Sequence, residues 1–164
     1  MTAKNTSDLV VTLLSNLEIA MTRTFDAPRA LVFKAFTDPE LIPSWWGQRD
    51  STTVVDKLDL RPGGEWRFVA HTPDGTEYGF HGEFREISPP ERFTWTFEFE
   101  GMPGHVLVET MTFTEADGKT TYTSISVFDS IEDRDEMLNT GMAEGAAESC
   151  DRMAELLATM VDAA

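Results

Sequence analysis

The stretch Arg92-Phe93-Thr94-Trp95-Thr96-Phe97-Glu98-Phe99 decides the fold of this chain. Aromatic side chains occupy every second position, and polar side chains occupy the positions between them. Successive side chains of a β-strand point to opposite faces of the sheet. The alternation therefore predicts a strand with one aromatic face on the core and one polar face toward solvent.

Strand-like runs lie on both sides of this stretch, at 51–60, 65–71, 76–87, 105–115 and 119–128. Turn signals such as Pro62-Gly63-Gly64 and Asp117-Gly118 separate the runs. Short connections make consecutive strands antiparallel neighbours. A further strand is expected before these runs, with one apolar face formed by Leu17, Ile19, Met21 and Phe25.

Helices are predicted before and after the main series of strands. Asp26 is expected to cap a first helix, and Asp38 to open a second short helix that ends near Trp45-Trp46-Gly47. Ser130 is expected to cap one C-terminal helix about 40 Å long. The element order predicts an α+β fold, in which an antiparallel sheet wraps around this helix. We expect residues 1–15 to form an N-terminal arm and residues 16–164 to form a single domain.

Short motifs occur along the chain in a characteristic order. They are Phe25-Asp26-Ala27-Pro28, Phe36-Thr37-Asp38-Pro39, Trp45-Trp46-Gly47, Asp59-Leu60-Arg61-Pro62-Gly63-Gly64, Gly82-Glu83-Phe84-Arg85-Glu86-Ile87, and Gly141-Met142-Ala143-Glu144-Gly145 followed by Ser149 and Arg152. This set resembles the START-like helix-grip superfamily, also called SRPBCC, and within it the activator of heat-shock protein 90 ATPase homologue family. The resemblance covers about residues 17–160 and implies a helix-grip (START/Bet v-like) fold. Members of the family include small-molecule binders, polyketide cyclases and antibiotic self-resistance proteins, so the resemblance implies no single activity.

The composition argues against several classes of partner. The chain has 164 residues and a net charge of −16, from 29 acidic and 13 basic side chains. This charge repels nucleic acids and anionic membranes. The apolar run Leu9 to Leu14 is too short to cross a membrane. The single cysteine, Cys150, allows no internal disulfide. We therefore expect a cytoplasmic protein, as a monomer or a homodimer.

The candidates for metal, cofactor and catalytic chemistry are few. His71, His81 and His105 are far apart in sequence and have no cysteine partners, so we expect no metal site and no cofactor. Glu109 is the one candidate catalytic residue, because it shares a strand face with apolar neighbours and desolvation would raise its pKa. The alternatives to catalysis are a basic or hydroxyl partner, such as Arg67, or a position at an exposed rim.

Two features indicate a cavity between the sheet and the C-terminal helix. Trp45 and Trp46 diverge by about 100° on a helix, which lets one pack in the core while the other faces a cavity. Gly141 and Gly145 lie four residues apart. They allow either a close approach of the helix to the sheet or free volume beside Met142.

The expected function is the binding of a hydrophobic small molecule, lipid-like or polyketide-like, without catalysis. The candidate ligand-binding residues are Trp46, Trp66, Phe80, Trp95, Phe97, Met111, Phe128, Met137 and Met142. One alternative is a cyclase-like or hydrolase-like enzyme acting on such a ligand. Another is a stress-related protein-interaction role, like that of a chaperone ATPase activator.

Overall fold

The computed structural model describes residues 9–163, and eight strands of this part of the chain form one antiparallel sheet. The strands are β1 (Val10–Ser15), β2 (Glu18–Phe25), β3 (Thr52–Leu58), β4 (Glu65–His71), β5 (Glu77–Ser88), β6 (Arg92–Phe99), β7 (Val106–Ala116) and β8 (Lys119–Val127). Their order in the sheet is β1-β2-β8-β7-β6-β5-β4-β3. The six strand runs predicted between residues 51 and 128 are therefore confirmed.

Three helices complete the domain. Helix α1 (Arg29–Thr37) is followed by a 3₁₀ turn at Ile42–Ser44, and helices α2 (Ile131–Asn139) and α3 (Met142–Ala163) follow the last strand. The curved sheet and the long C-terminal helix confirm the expected α+β, helix-grip fold. No helix in residues 9–163 combines the length and the apolar character that a membrane span requires.

The aromatic face of β6 lies on the concave side of the sheet. Trp95 is 3% exposed and Phe93 is fully buried, as the alternation predicts. The strand register places Phe84 and Glu109 opposite Trp95 on the two neighbouring strands, so these side chains share its face. The concave face therefore carries most of the core, with Met111 beside Phe93.

Part of the predicted N-terminal arm belongs to the sheet. β1 pairs with β2, with Val11 opposite Met21. Leu13 and Leu14 of this edge strand are half exposed, so β1 lacks the alternating burial by which a strand is recognised in sequence. Leu17, expected on the buried face, lies in the turn before β2 and is exposed. Residues 1–8 of the predicted arm lie outside the described part of the chain.

The first helical segments differ from the expectation. Asp26 does not cap α1, which begins at Arg29 with Pro28 at the N-cap position and no side-chain cap. Asp38 does not open a helix but ends α1, where its backbone N–H donates to the Lys34 carbonyl. Pro39 disfavours the helical conformation for the residue before it, and Asp38 is extended. The predicted second helix is reduced to the 3₁₀ turn.

The C-terminal helix is divided in two. Ser130 caps α2 as predicted, because its hydroxyl accepts a hydrogen bond from the Asp133 backbone N–H. Gly141 then adopts a φ of +82° and ends the first segment before α3 begins. This left-handed conformation suits glycine at a helix end. The prediction of one continuous helix was wrong for this reason.

Gly145 does not serve a close approach to the sheet. A Cβ built at this position would meet no atom within 4 Å, other than those of the helix itself and its neighbours. Of the two interpretations of the glycine pair, close helix–sheet packing is therefore wrong. Gly82 of β5 does provide such a close approach, since a Cβ there would lie 1.8 Å from the Thr96 carbonyl oxygen and 2.8 Å from the Trp66 indole nitrogen.

Replacement of Gly141 and of Gly145 by alanine should change the free energy of unfolding in opposite directions. Gly141→Ala should lower the free energy of unfolding by about 1–2 kcal/mol, because an L-residue must adopt the left-handed conformation. Gly145→Ala should raise it by about 0.5–1 kcal/mol, since alanine favours a helix interior and meets no neighbour. Urea unfolding of both variants tests this, and equal destabilisation by the two changes would contradict the division at Gly141.

Candidate functional site

Six aromatic side chains form a continuous surface on the concave face, and we call it the aromatic wall. Its members are Trp46, Trp66, Phe68, Phe80, Trp95 and Phe97. The ring centroid of Trp46 lies 4.8 Å from that of Phe68, 5.7 Å from Phe80 and 6.3 Å from Trp95. Trp66 and Trp95 are buried, whereas Trp46, Phe80 and Phe97 are half-buried. The accessible part of the wall is therefore formed by these last three residues.

The two adjacent tryptophans have different surroundings. Trp45 is buried against Phe36, and its indole N–H donates to the Ala35 carbonyl at 2.8 Å. Trp46 instead packs against Phe68 and Phe80, the neighbouring members of the aromatic wall. The pair diverges as the sequence allowed, with Trp45 in the core and Trp46 on the concave face.

Helix α3 holds Trp46 in place through the backbone of its loop. One guanidinium nitrogen of Arg152 lies 3.2, 3.0 and 3.1 Å from the carbonyl oxygens of Trp46, Gly47 and Gln48. The Ser149 hydroxyl also accepts a hydrogen bond from the Gly47 N–H at 3.0 Å. The Trp-Trp-Gly motif and the Ser149 and Arg152 motif are therefore two halves of one contact.

Arg152→Ala should release this loop. The loss of hydrogen bonds from a charged donor to three carbonyls should lower the free energy of unfolding by about 1.5–3 kcal/mol. Tryptophan emission should also shift to longer wavelength as Trp46 becomes exposed. The matched control is Arg49→Ala, because Arg49 pairs with Glu155 of the same helix at the surface and its loss should change little. Equal stability of the two variants would refute the anchoring role of Arg152.

A buried carboxyl group lies at the end of the wall. Glu109 is 8% exposed, and its two carboxyl oxygens accept hydrogen bonds from the Trp95 indole at 2.9 Å and the Ser124 hydroxyl at 2.6 Å. Burial raises the pKa of Glu109, and these hydrogen bonds partly oppose the rise. Glu109 therefore faces inward, and of the alternatives that the sequence left open the structure shows the hydroxyl partner. Because both oxygens are engaged, Glu109 links β6, β7 and β8.

Arg67 is not the partner of Glu109. It lies on the convex face, where its guanidinium binds the Glu100 carboxylate through two hydrogen bonds of 2.8 and 2.9 Å. His81 joins the same group with its Nδ1 atom 2.8 Å from Glu100. His81, which lies opposite Arg67 in the strand register, is therefore also on the convex face.

The pH dependence of stability should report the burial of Glu109. Its folded-state pKa lies above the ordinary value of 4.5. The contribution of Glu109 to the free energy of unfolding is therefore fully present below pH 4.5, and it is lost as the pH rises through the folded-state pKa. Glu109→Gln should remove this loss. The stability of the variant relative to the native chain should increase as the pH rises from about 4.5 into the neutral range.

Urea unfolding across this pH range checks the expectation. Glu91→Gln, which changes an exposed carboxylate, is the control. A difference between Glu109→Gln and the native chain that does not vary with pH would argue against a desolvated carboxyl group.

The environment of Cys150 disfavours the thiolate form of its side chain. Cys150 is buried in α3, and burial raises its pKa to about 12. A neutral thiol is a poor nucleophile. Nearby, Arg23 is 7% exposed and its guanidinium contacts Asp151 at 2.6 Å. The Arg23–Asp151 pair joins the middle of α3 to β2.

A narrow apolar cleft opens beside the aromatic wall, between α2 and the start of β7. Its volume is about 20 Å³, room for about one water molecule. It is lined by Phe99, Met102, His105, Val106, Leu107, Phe128, Asp133 and Met137. Phe99 shares the aromatic face of β6 and could have been selected from the alternation. Met102 and His105 lie in a loop, where no periodicity identifies them.

The nine candidate ligand-binding residues divide into groups. Five lie in the aromatic wall: Trp46, Trp66, Phe80, Trp95 and Phe97. Phe128 and Met137 line the cleft. Met111 is buried in the sheet, and Met142 is half-buried at the start of α3.

Comparison with known families and structures gives consistent matches. The family described as Activator of Hsp90 ATPase homolog 1-like protein matches residues 26–158. Protein Ms6760 from Mycobacterium smegmatis is 29% identical over 91% of this chain and 96% of its own, with a TM-score of 0.83. No curated protein matches the sequence at a significant level.

Two further solved structures share the fold at lower identity. A protein from Rhodobacter sphaeroides is 22% identical, with a TM-score of 0.87 over 93% of this chain and 99% of its own. DynU16, a protein of the dynemicin biosynthetic locus, is 21% identical, with a TM-score of 0.68 over 87% of this chain and 47% of its own. At these identities the similarity shows the fold alone.

Proposed function

The chain belongs to the family of Activator of Hsp90 ATPase homolog 1-like proteins, and from this premise we propose that it binds a hydrophobic small molecule between the sheet and helices α2 and α3. The ligand is neutral and lipid-like or polyketide-like. The binding surface consists of the aromatic wall, the cleft and the apolar side chains of the two helices that face them.

The observation that carries this proposal is the light packing of the helices over the wall. None of the described residues of α2 is fully buried. In α3, the buried residues Cys150, Met153 and Leu157 all lie beyond its first two turns. Several large apolar residues of the wall and of the two helices are only half-buried, although they pack against the core: Trp46, Phe80, Phe97, Met137, Leu138 and Met142. Apolar surface that the protein leaves partly uncovered is available to a ligand.

Ligand entry requires the cover to move. The cleft of about 20 Å³ is much smaller than the roughly 300–1,000 Å³ of a ligand pocket. Gly141 separates α2 from α3, and this break allows α2 to move while α3 stays anchored by Arg152. Met137 and Met142 have flexible side chains that adapt to different shapes.

The charges of the site favour a neutral ligand. Arg23, the buried basic residue of the concave face, is already paired with Asp151. The acidic Glu109 and the net charge of −16 disfavour an anionic ligand. Both oxygens of Glu109 already accept hydrogen bonds, which supports binding without catalysis over a cyclase-like or hydrolase-like reaction.

Met142→Trp should block the proposed site. The larger side chain should occupy the space beside the wall and lower the affinity for N-phenyl-1-naphthylamine, a neutral apolar fluorophore, by at least about tenfold, or about 1.4 kcal/mol. The thermal midpoint should change little, because Met142 is half-buried. The control is Val161→Trp, which adds the same group at an exposed position of α3.

Probe titration and thermal unfolding of both variants decide the outcome. Unchanged affinity with a lowered midpoint would mean that Met142 packs in the core and lines no site. Native mass spectrometry of freshly purified protein gives a second test, since a co-purified ligand appears as added mass. The same spectrum distinguishes a monomer from a homodimer.

A further inference from the structure

Three potential metal ligands meet at the mouth of the cleft. His105 lies just before β7, and Asp133 and Glu136 lie on α2. One ligand atom from each residue lies within 4.8 Å of the other two. The group combines an imidazole nitrogen with two carboxylate oxygens from segments that are distant in sequence.

The fold accounts for this arrangement. Asp133 and Glu136 are three positions apart on α2 and therefore lie on the same side of the helix. The Nδ1 atom of His105 lies 2.8 Å from an Asp133 carboxylate oxygen, which brings the loop before β7 against this side of α2. The Asp133 side chain is 19% exposed, whereas His105 and Glu136 are more exposed and open to solvent.

The negative charge of the group is poorly balanced. Among the described ion pairs, Asp133 pairs with His105, and none includes Glu136. The adjacent Arg134 pairs instead with Asp135 and with the Ser15 carbonyl oxygen. In a chain with a net charge of −16, two neighbouring carboxylates without a lysine or arginine partner attract a cation.

We propose that His105, Asp133 and Glu136 bind one divalent transition-metal ion, with Zn²⁺ as the representative. Imidazole favours zinc and its neighbours, whereas Ca²⁺ and Mg²⁺ favour sites made only of oxygen ligands. Three protein ligands leave at least one coordination position for water. The sequence spacing does not predict this site, because 28 residues separate His105 from Asp133.

The ion would connect α2 to the start of β7. His105 and Asp133 also line the cleft, so a metal bound to both would hold α2 against its mouth. This inference goes beyond the proposed binding of a hydrophobic molecule and stands on different residues. Metal binding is measurable without any apolar ligand, so the two proposals fail independently.

The test uses the full chain without a polyhistidine tag, freed of metal by a chelator. Zn²⁺ is titrated in competition with a chromophoric zinc indicator. We expect one ion per chain, and His105→Asn and Glu136→Gln should each weaken binding at least tenfold, since even loss of an outer-shell partner costs about 10–100-fold. His71→Asn and Glu132→Gln are the matched controls and should bind as the native chain does.

Zn²⁺ should also slow amide hydrogen exchange in α2 of the native chain, because the ion restrains the helix. The variants at positions 105 and 136 should not show this effect. Absence of Zn²⁺ binding, equal affinity of the controls and the site variants, or equally tight binding of Ca²⁺ or Mg²⁺ would overturn the proposal.

Discussion

The stacked indoles of Trp66 and Trp95 hold the concave face of the sheet together. Their ring centroids are 4.0 Å apart and their planes differ by 18°, although β5 lies between the strands that carry them. Contact across an intervening strand requires that strand to have no side chain at the crossing, and Gly82 meets this requirement. The Trp66 indole also donates to the Thr96 carbonyl on the far side of β5. Trp46 packs beside this stack, with its ring centroid 6.3 Å from those of both indoles.

The stack also organises the polar interior. Because Trp95 is fixed by Trp66, its indole N–H is held toward Glu109, and Glu109 in turn accepts from Ser124. These side-chain contacts link four strands of the sheet: β4, β6, β7 and β8. The helices over it are anchored unequally, since Arg152 fixes the middle of α3 whereas α2 contributes no buried residue. The contrast between the linked strands and the lightly packed α2 supports the proposal that a ligand enters without loss of the fold.

The sequence predicts the wall well because strand alternation is a local property. The strand runs and the inward positions of Trp95 and Glu109 follow from side-chain periodicity, and the short turns predict that consecutive strands from β3 to β8 are neighbours. The partner of Glu109 does not follow from periodicity, since the sequence leaves open a basic group such as Arg67, a hydroxyl group, or an exposed position at the rim until the strand register is known. The register places Ser124 opposite Met111 and on the concave face, next to the carboxyl group, and turns Arg67 outward. Pairings between distant strands therefore need the structure.

The sequence motifs of the family predict the fold more closely than they predict the break between α2 and α3 or the ligand. Leu138 and Met142 lie four residues apart on either side of Gly141 and keep the helical spacing of apolar residues, so periodicity alone cannot reveal that the backbone at Gly141 is left-handed. Gly82 makes room for the indole stack, and Arg152 anchors the Trp46 loop, so these motif residues have structural roles. Several residues that line the cleft lie outside the quoted motifs: Phe99, Met102, Leu107, Phe128 and Met137. The motif residues therefore determine the fold. The side chains between the motifs determine the shape of the cleft beside the aromatic wall, and hence which molecule fits the cleft.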